Sequence, residues 1–357
     1  MKITEEKELT GVKEIARRAE VSIATVDRVL HNRQGVSIKT KNKILSIIAE
    51  LDYQPNILAR TLASKKILKF AVLIPEASNE TAFWEAPLTG ILKAEEEIKR
   101  YGIQIDKYFF DQNDTSSFVA KTEQLLHDHV DGILMAPMFT EESIAFTNDC
   151  KRLNIPYVFI NSDLPDQQSL CYFGPDLYQS GYMGAHLLRY LVPNQAKNKI
   201  LLVNISKEIN QRHHLLQKEK GFKSYFEDHN RKNEIIKIDV RQTDYASVER
   251  EMDQIFAQHQ DISAIFVSNS RVSSVARYIE QHNKTEILLI GFDFLPQNIE
   301  YLKNDVIDFL ICQKPQEQGY KGIMALYNKM VHGQSSQQVN FMPIDIISRE
   351  NYLFYHN

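Results

Sequence analysis

A chain of 357 residues with 43% hydrophobic and 25% charged residues has the composition of a folded globular protein, and its length asks for two or three cores. No apolar run approaches the ~18 residues of a membrane-spanning helix, and the opening MKITEEKELT lacks the apolar stretch of a signal peptide. The net charge of −4 is uneven: residues 1–69 hold 14 Lys and Arg against 8 Asp and Glu, and the rest holds 28 against 38, so a basic head precedes an acidic body.

Residues 1–9 read as a frayed lead-in. Thr10 can cap a first helix that carries Ile15, Ala16 and Ala19 at helical spacing. A turn at Glu20-Val21 leads to Ser22, which can cap a second helix, Ile23–Leu30, whose apolar face is Val26, Val29 and Leu30. Ser37 can cap a third helix with the stripe Ile44, Ile47, Ile48 and Leu51. Two short helices joined by a tight turn and buttressed by a third form helix-turn-helix geometry, with the second helix in the DNA major groove. This head spans residues 1–55. Pro55 breaks the chain, and Asn56 can cap a short helix ending near Leu62. So short a helix is unstable alone in water, so it orders only when DNA and a dimer partner hold it. Residues 56–68 are therefore hinge and linker.

From Lys69 onward short apolar runs alternate with amphipathic helices. Strands are predicted at Phe70–Pro75, Gln104–Phe110, Gly132–Ala136, Tyr157–Asn161, Lys199–Val203, Ile235–Asp239, Ala264–Val267 and Ile287–Gly291, with helices between them. This repetition predicts an α/β body of parallel sheets with right-handed connections. It splits into two lobes of four to five strands each. The first lobe takes residues 69–161 and 315–342, returning through a helix at Gln318–Val331. The second takes 162–313 and 343–357, closed by a strand near Ile344–Ser348. Ligand is expected in the cleft at the C-terminal ends of the strands.

The head carries A-x-x-A-x-V-S-x-x-T-V-x-R-V-L, then V-S-x-x-T, then L-x-Y-x-P-N-x-x-A-R-x-L. This run resembles the headpiece and hinge of the LacI/GalR repressors from Thr10 to Leu62. It departs at Glu20, where the family usually has Gly, so the turn either strains a non-Gly residue or shifts. It departs again at Asp27, where many members have Ser and where a carboxylate would repel phosphate. The body resembles the periplasmic-binding-protein-like effector domain of the same repressors, of the ribose-binding type. The segments that carry this are D-G-I-L-M-A-P (131–137), P-Y-V-F-I-N-S (156–162), F-G-P-D (173–176), K-G-F (220–222), I-F-V-S-N (265–269), I-G-F-D (290–293) and I-C-Q-K-P-Q-E-Q-G (311–319).

The resemblance implies which residues act. On the DNA side, Ile23, Ala24 and Arg28 face base edges: Arg can bond guanine bidentately, and the apolar pair can contact a thymine methyl. Ser22, Thr25, Asn32 and Lys39 are candidate phosphate partners. Asn56, Ala59 and Leu62 fall in the hinge motif, Leu62 matching an apolar wedge that kinks DNA in the minor groove. The alternatives are helix core for Ile23 and Leu62, and an exposed salt bridge for Arg28. In the cleft, Phe83 and Trp84 would stack on the C–H face of a sugar, or else pack in the core. Asn161 stands where the family usually has an acidic hydroxyl acceptor. Asn269 ends a strand in Asn-Ser where the family reads Asn-Asp, with Arg271 next. Asp293 would accept two hydroxyl bonds, and Gln313 falls at the lobe crossover. Lys218 replaces an Arg, which removes a bidentate clamp. For all of these the alternative is loop solvation or strand-end capping.

Other features carry less. Cys150, Cys171 and Cys312 are scattered without metal spacing and read as buried thiols in a reducing cytosol. His213-His214 and His127-x-His129 lack companion ligands, and Asp111–Asp114 reads as a β–α turn with a helix cap rather than a calcium loop. No G-x-S-x-G, P-loop or G-x-G-x-x-G occurs. The expectation is a cytoplasmic homodimeric regulator, most simply a repressor, with no catalytic residues, cofactor or membrane partner. It binds a pseudopalindromic operator and is controlled by a small ligand, a sugar or sugar derivative. The alternatives are a solute-binding or carbohydrate-processing protein with a vestigial DNA module, or a purine or other non-sugar effector.

Overall fold

The computed structural model describes residues 11–30, 33–51, 53, 67–78, 82–164, 166–207, 209 and 212–357. Thr10, Asn32, Asn56, Ala59 and Leu62 lie outside the described residues, and with them the expected hinge helix. The head and the body, Ile67–Asn357, are separate units. Among the described residues no helix is long and apolar enough to cross a membrane.

The head holds α1 (Val12–Ala19), α2 (Ile23–Leu30) and α3 (Ile38–Glu50). Their apolar stripes meet in one small core of Ile15, Ala16, Ala19, Val26, Val29, Ile44 and Ile47. Glu20 ends α1 in the left-handed region, φ 58° and ψ 44°, so the turn strains a non-Gly residue instead of shifting. The same start is used twice: Ser22 and Ser37 each accept a backbone N–H from the Thr three residues on, at 3.1 Å. Glu14 accepts bonds from Arg17 and Arg18, and Arg18 also reaches Glu50 at 3.0 Å, tying α1 to α3. The bonds from Arg17 and then Arg18 hold the Glu14 carboxyl down at about 2.

The body opens with β1 (Leu68–Pro75), α4 (Glu85–Ile98), β2 (Ile103–Phe110), α5 (Thr115–His127), β3 (Gly132–Met135), α6 (Thr140–Leu153), β4 (Tyr157–Ile160) and β5 (Cys171–Gly174). It continues through α7 (Leu177–Leu191), β6 (Lys199–Ile205), α8 (His213–Asp228), β7 (Ile235–Val240), α9 (Tyr245–Gln258), β8 (Ile262–Val267), α10 (Val272–Gln281), β9 (Leu288–Phe292), α11 (Pro296–Lys303) and β10 (Phe309–Cys312). It closes with α12 (Pro315–His332), β11 (Val339–Phe341) and β12 (Asp345–Ile347). Central strands are apolar along their whole length because helices cover both faces, as Phe70 to Ile74 show, all fully buried. Asp114, Asp176 and Asp244 cap α5, α7 and α9.

The strands form two six-stranded sheets, ordered β11-β5-β4-β3-β1-β2 and β12-β10-β9-β8-β6-β7. Every pairing is parallel except β10 with β12. Two corrections to the sequence reading follow. Each lobe has six strands, not four to five. The first lobe also extends past Asn161, because Cys171–Gly174 pairs with β4 from Val158↔Cys171 onward. This four-residue strand follows a connection of ten residues and has no period long enough to announce it. In each lobe one helix pair is held at very short range by glycines. A Cβ on Gly90 of α4 would lie 1.8 Å from Gln316 O of α12, and one on Gly181 of α7 would lie 1.8 Å from Lys218 O of α8.

Candidate effector cleft and DNA-facing helix

The chain passes from lobe to lobe after β5, after β10 and between β11 and β12. The parallel order places the C-terminal ends of the strands of both sheets on one cleft. Its empty space, open mouth included, is about 620 Å³. Phe83, Trp84, Asn161, Lys218, Asn269, Asp293 and Gln313, the seven residues singled out from the sequence, all line it.

The first-lobe wall is aromatic and uncharged: Phe83, Trp84, Gln112, Asn113, Met138 and Asn161. Phe83 is half-buried and packs edge-on against Trp84 at 5.0 Å. Trp84 is only 2% exposed and belongs to the first-lobe core, with its indole N–H donating to Gln112 Oε1 at 3.4 Å. The expected stacking role of Trp84 is corrected accordingly. It backs the wall, and Phe83 presents the more open ring.

The second-lobe wall carries every ionisable lining group: Arg212, His214, Lys218, Arg271 and Asp293. Gly181 lets α8 approach α7, and this seats Lys218. Lys218 is 5% exposed and its Nζ stands 3.6 Å from the Phe292 ring centroid. Asp293 is 8% exposed, at φ 74°, just past β9. Burial pushes Lys218 down to about 8, and Asp293 opposes that shift. Burial pushes Asp293 up to about 6, and Lys218 opposes it in turn. Two buried, opposite charges thus face one cavity with their hydration largely removed. Burial, then Lys218 and Arg212, hold the His214 imidazole well below its usual range.

Three positions hold the walls in register. Asn298 is fully buried and donates to Ser270 O, Phe292 O and Asp293 O at 3.0–3.1 Å, so it fixes the loops after β8 and β9 together. Gln318 accepts the Asn161 N–H at 2.9 Å and donates to Gln313 O at 2.7 Å, bridging β4 to the β10–α12 crossover. Gln313 donates to Ser180 Oγ at 2.6 Å. Asn269 lines the cleft and also anchors its loop: its amide donates to Ile205 O at 2.7 Å and accepts from the Arg271 N–H at 3.2 Å.

Arg212 went unnoticed in the sequence. It precedes α8 in the second lobe, yet its guanidinium donates to Gln112 O and to Met138 O (3.4 Å) and lies 4.6 Å from the Phe139 ring centroid, all in the first lobe. No strand end or motif marks it. The turn at Gln112 and Asn113 does more than lead into Asp114, which caps α5: it also faces the cleft.

In the head, Ile23 is 51% exposed, and Ala24 and Arg28 are exposed beside it on α2, opposite buried Val26 and Val29. The core alternative for Ile23 is not what the structure contains. Arg28 makes no ion pair among the described residues. The Ser22 and Thr25 hydroxyls are 2.9 Å apart, so as phosphate partners they would act from within the helix cap. Lys39 is exposed. Asp27 is met by Arg33 at 3.3 Å, which offsets its charge on this face.

Comparison with known proteins matches residues 70–335 to the periplasmic binding protein domain and residues 11–56 to the bacterial regulatory proteins of the lacI family. Catabolite control protein A of Staphylococcus aureus is 50% identical over 66 residues, which is 18% of this chain and 20% of that protein. The match thus spans about a fifth of the length of the curated relative. A Bacteroides fragilis chain assigned as a LacI transcriptional regulator is 29% identical with a TM-score of 0.76, over 82% of this chain and 100% of that one. An ABC transporter solute binding protein from Burkholderia graminis, in complex with D-arabinose, shares the fold at a TM-score of 0.72 and 18% identity, over 82% and 99% of the two chains. The chain thus belongs to the periplasmic binding protein domain family, and its head, residues 11–56, matches the bacterial regulatory proteins of the lacI family.

Proposed function

We propose that the protein is a DNA-binding transcriptional regulator, working as a repressor, whose operator affinity is set by a sugar or sugar derivative held between the lobes. One observation carries this: the same chain presents an α2 face with Ile23, Ala24 and Arg28 open to solvent and an interlobe cleft lined by buried hydrogen-bonding groups. It acts as a cytoplasmic homodimer on a pseudopalindromic operator and is a binder rather than a catalyst. Effector binding between the lobes is coupled to DNA binding by the head, so DNA and effector affinity are linked reciprocally. The D-arabinose held by the Burkholderia protein supports a sugar as the effector class.

Operator selection from random DNA, followed by gel shift, tests the DNA half. Arg28→Ala should cost about 1–3 kcal/mol at one base pair per half-site and relax preference there. A uniform loss with an unchanged base profile would place Arg28 on phosphate. Deleting residues 1–62 should abolish the shift and leave the body folded.

A further inference from the structure

The solvent-facing arc of α2 carries a carboxylate. At about 100° of turn per residue, that arc runs from Ile23 at about 0° through Asp27 at about 40° and Ala24 at about 100° to Arg28 at about 140°, with buried Val26 and Val29 opposite at about 300° and 240°. Asp27 thus sits inside the arc that holds the three base-facing candidates, and its side chain is 48% exposed. Arg33 meets it from beyond the helix end. The Arg33 backbone N–H is fixed on Arg28 O at 2.8 Å, and its guanidinium turns back to donate to Asp27 Oδ2 at 3.3 Å. A bare carboxylate on this arc would weaken binding to every DNA sequence, because phosphates flank the groove. A cation tethered beside it offsets that repulsion while the carboxylate stays on the arc.

A carboxylate only accepts hydrogen bonds. In the major groove guanine offers it acceptors, thymine an acceptor and a methyl, and adenine an acceptor next to its amine. Cytosine alone offers a donor amine with no acceptor beside it. We infer that Asp27 reads a cytosine in each half-site, beside the base pair that Arg28 reads, and that Arg33 holds its carboxylate and offsets its charge against the phosphates. The inference rests on the DNA-binding reading above and adds Asp27 to Ile23, Ala24 and Arg28 as a determinant of operator choice. A serine in that place can donate as well as accept and would not make this distinction.

The experiment is operator selection from random DNA with the full chain as wild type, Asp27→Asn, Asp27→Ser and Arg33→Ala, followed by gel shift on the selected sites and their single-base variants. The wild type should bind cytosine at one position per half-site about tenfold better than any other base. Asp27→Asn should move the preference there to adenine, whose N6 and N7 together match an amide. Asp27→Ser should flatten it, and both variants should keep the base read by Arg28. Arg33→Ala should weaken all sites alike, by about threefold, and keep the cytosine. These are exposed positions, where substitution changes stability little. An unchanged base profile in both Asp27 variants, with tighter binding to every sequence, overturns the inference and leaves the DNA-binding reading standing: Asp27 would then only repel phosphate. A wild type that selects no sequence overturns both.

Discussion

The sheet order of the first lobe, β2-β1-β3-β4-β5, returns in the second as β7-β6-β8-β9-β10, and each lobe seats one helix pair on glycines. The residues the two sheets hold over the cleft differ in kind. The first lobe offers Phe83, Gln112, Asn113 and Asn161, while the second offers Arg212, His214, Lys218, Arg271 and Asp293. Topology fixes where a ligand sits, because strand ends and switch points coincide in both lobes. It does not fix what the ligand is, which depends on a few side chains at those ends. An ionised wall and a neutral wall are also a division of labour. On the proposed reading, the ionised wall would hold and select the polar groups of a ligand, and the aromatic wall would cover its apolar face and exclude water, which strengthens each polar contact.

Breaking the first wall at its base should have the largest effect. Trp84→Ala removes a 2% exposed indole from the first-lobe core and should destabilise the body by about 3–5 kcal/mol, as core Trp truncations do. Phe83→Ala, one residue earlier and half-buried, should cost little stability and should weaken effector binding. Denaturant melts and calorimetry on both variants separate these outcomes. Equal effects of the two would dissolve the distinction between a backing residue and a stacking one.

The second wall should respond in affinity instead. Asp293→Ala should lower effector affinity ten- to several-hundred-fold, since charge-assisted bonds contribute about 1.5–3 kcal/mol each. Operator binding should persist, giving a regulator fixed in its effector-free state. Wild-type effector affinity in this variant would remove Asp293 from the site.

Much of this arrangement was legible beforehand. The long apolar strands and amphipathic helices have periods that survive any context, and the doubly wound pattern sends distant strand ends to one cleft, so Asp293, Asn269 and Trp84 could be grouped without coordinates, while Lys218 and Phe83 followed only from the family resemblance. What failed was local and short. The four residues Cys171–Gly174 carry no period and are a strand only because β4 and β11 flank them. Trp84 read as a platform because burial depends on neighbours such as Gln112, 28 positions away. That Asn269 anchors its loop as well as lining the cleft is visible only in the geometry. Arg212, Asn298 and Gln318 work through carbonyls and amides of remote loops, which no spacing rule reveals.

The glycine pairs allow the two lobes to be compared under the same lesion. A Cβ at Gly90 or at Gly181 meets a backbone carbonyl oxygen at 1.8 Å, so a helix must move in either case. Each Ala substitution should cost about 1–3 kcal/mol. Only Gly181→Ala strikes the carbonyl of Lys218 itself, so it should also weaken effector binding, while Gly90→Ala should alter stability alone. Loss of affinity in both would mean that the helix pairs communicate through the lobe-to-lobe crossovers rather than through the wall they carry.

The smallest expected effect is a pH signature of the charged wall. Lys218 is pushed down to about 8, below its usual 10.5. The unfolded chain therefore binds more protons than the folded one between about 8 and 10.5, and this residue's contribution to stability rises with pH across that window. Asp293 is pushed up to about 6, above its usual 3.8. There the folded chain holds the extra proton, and its contribution falls as pH rises from about 4 to 6. Between the two windows the ligand-free cleft carries both charges at their greatest cost. Melting curves of the wild type, Lys218→Gln and Asp293→Asn can isolate the two contributions. The wild type should gain on Lys218→Gln above about pH 8 and lose ground to Asp293→Asn between about pH 4 and 6, by roughly 2–4 °C per kcal/mol of change. Flat differences across both windows would mean that the two groups titrate as they do in water, and that the second wall is hydrated like a surface.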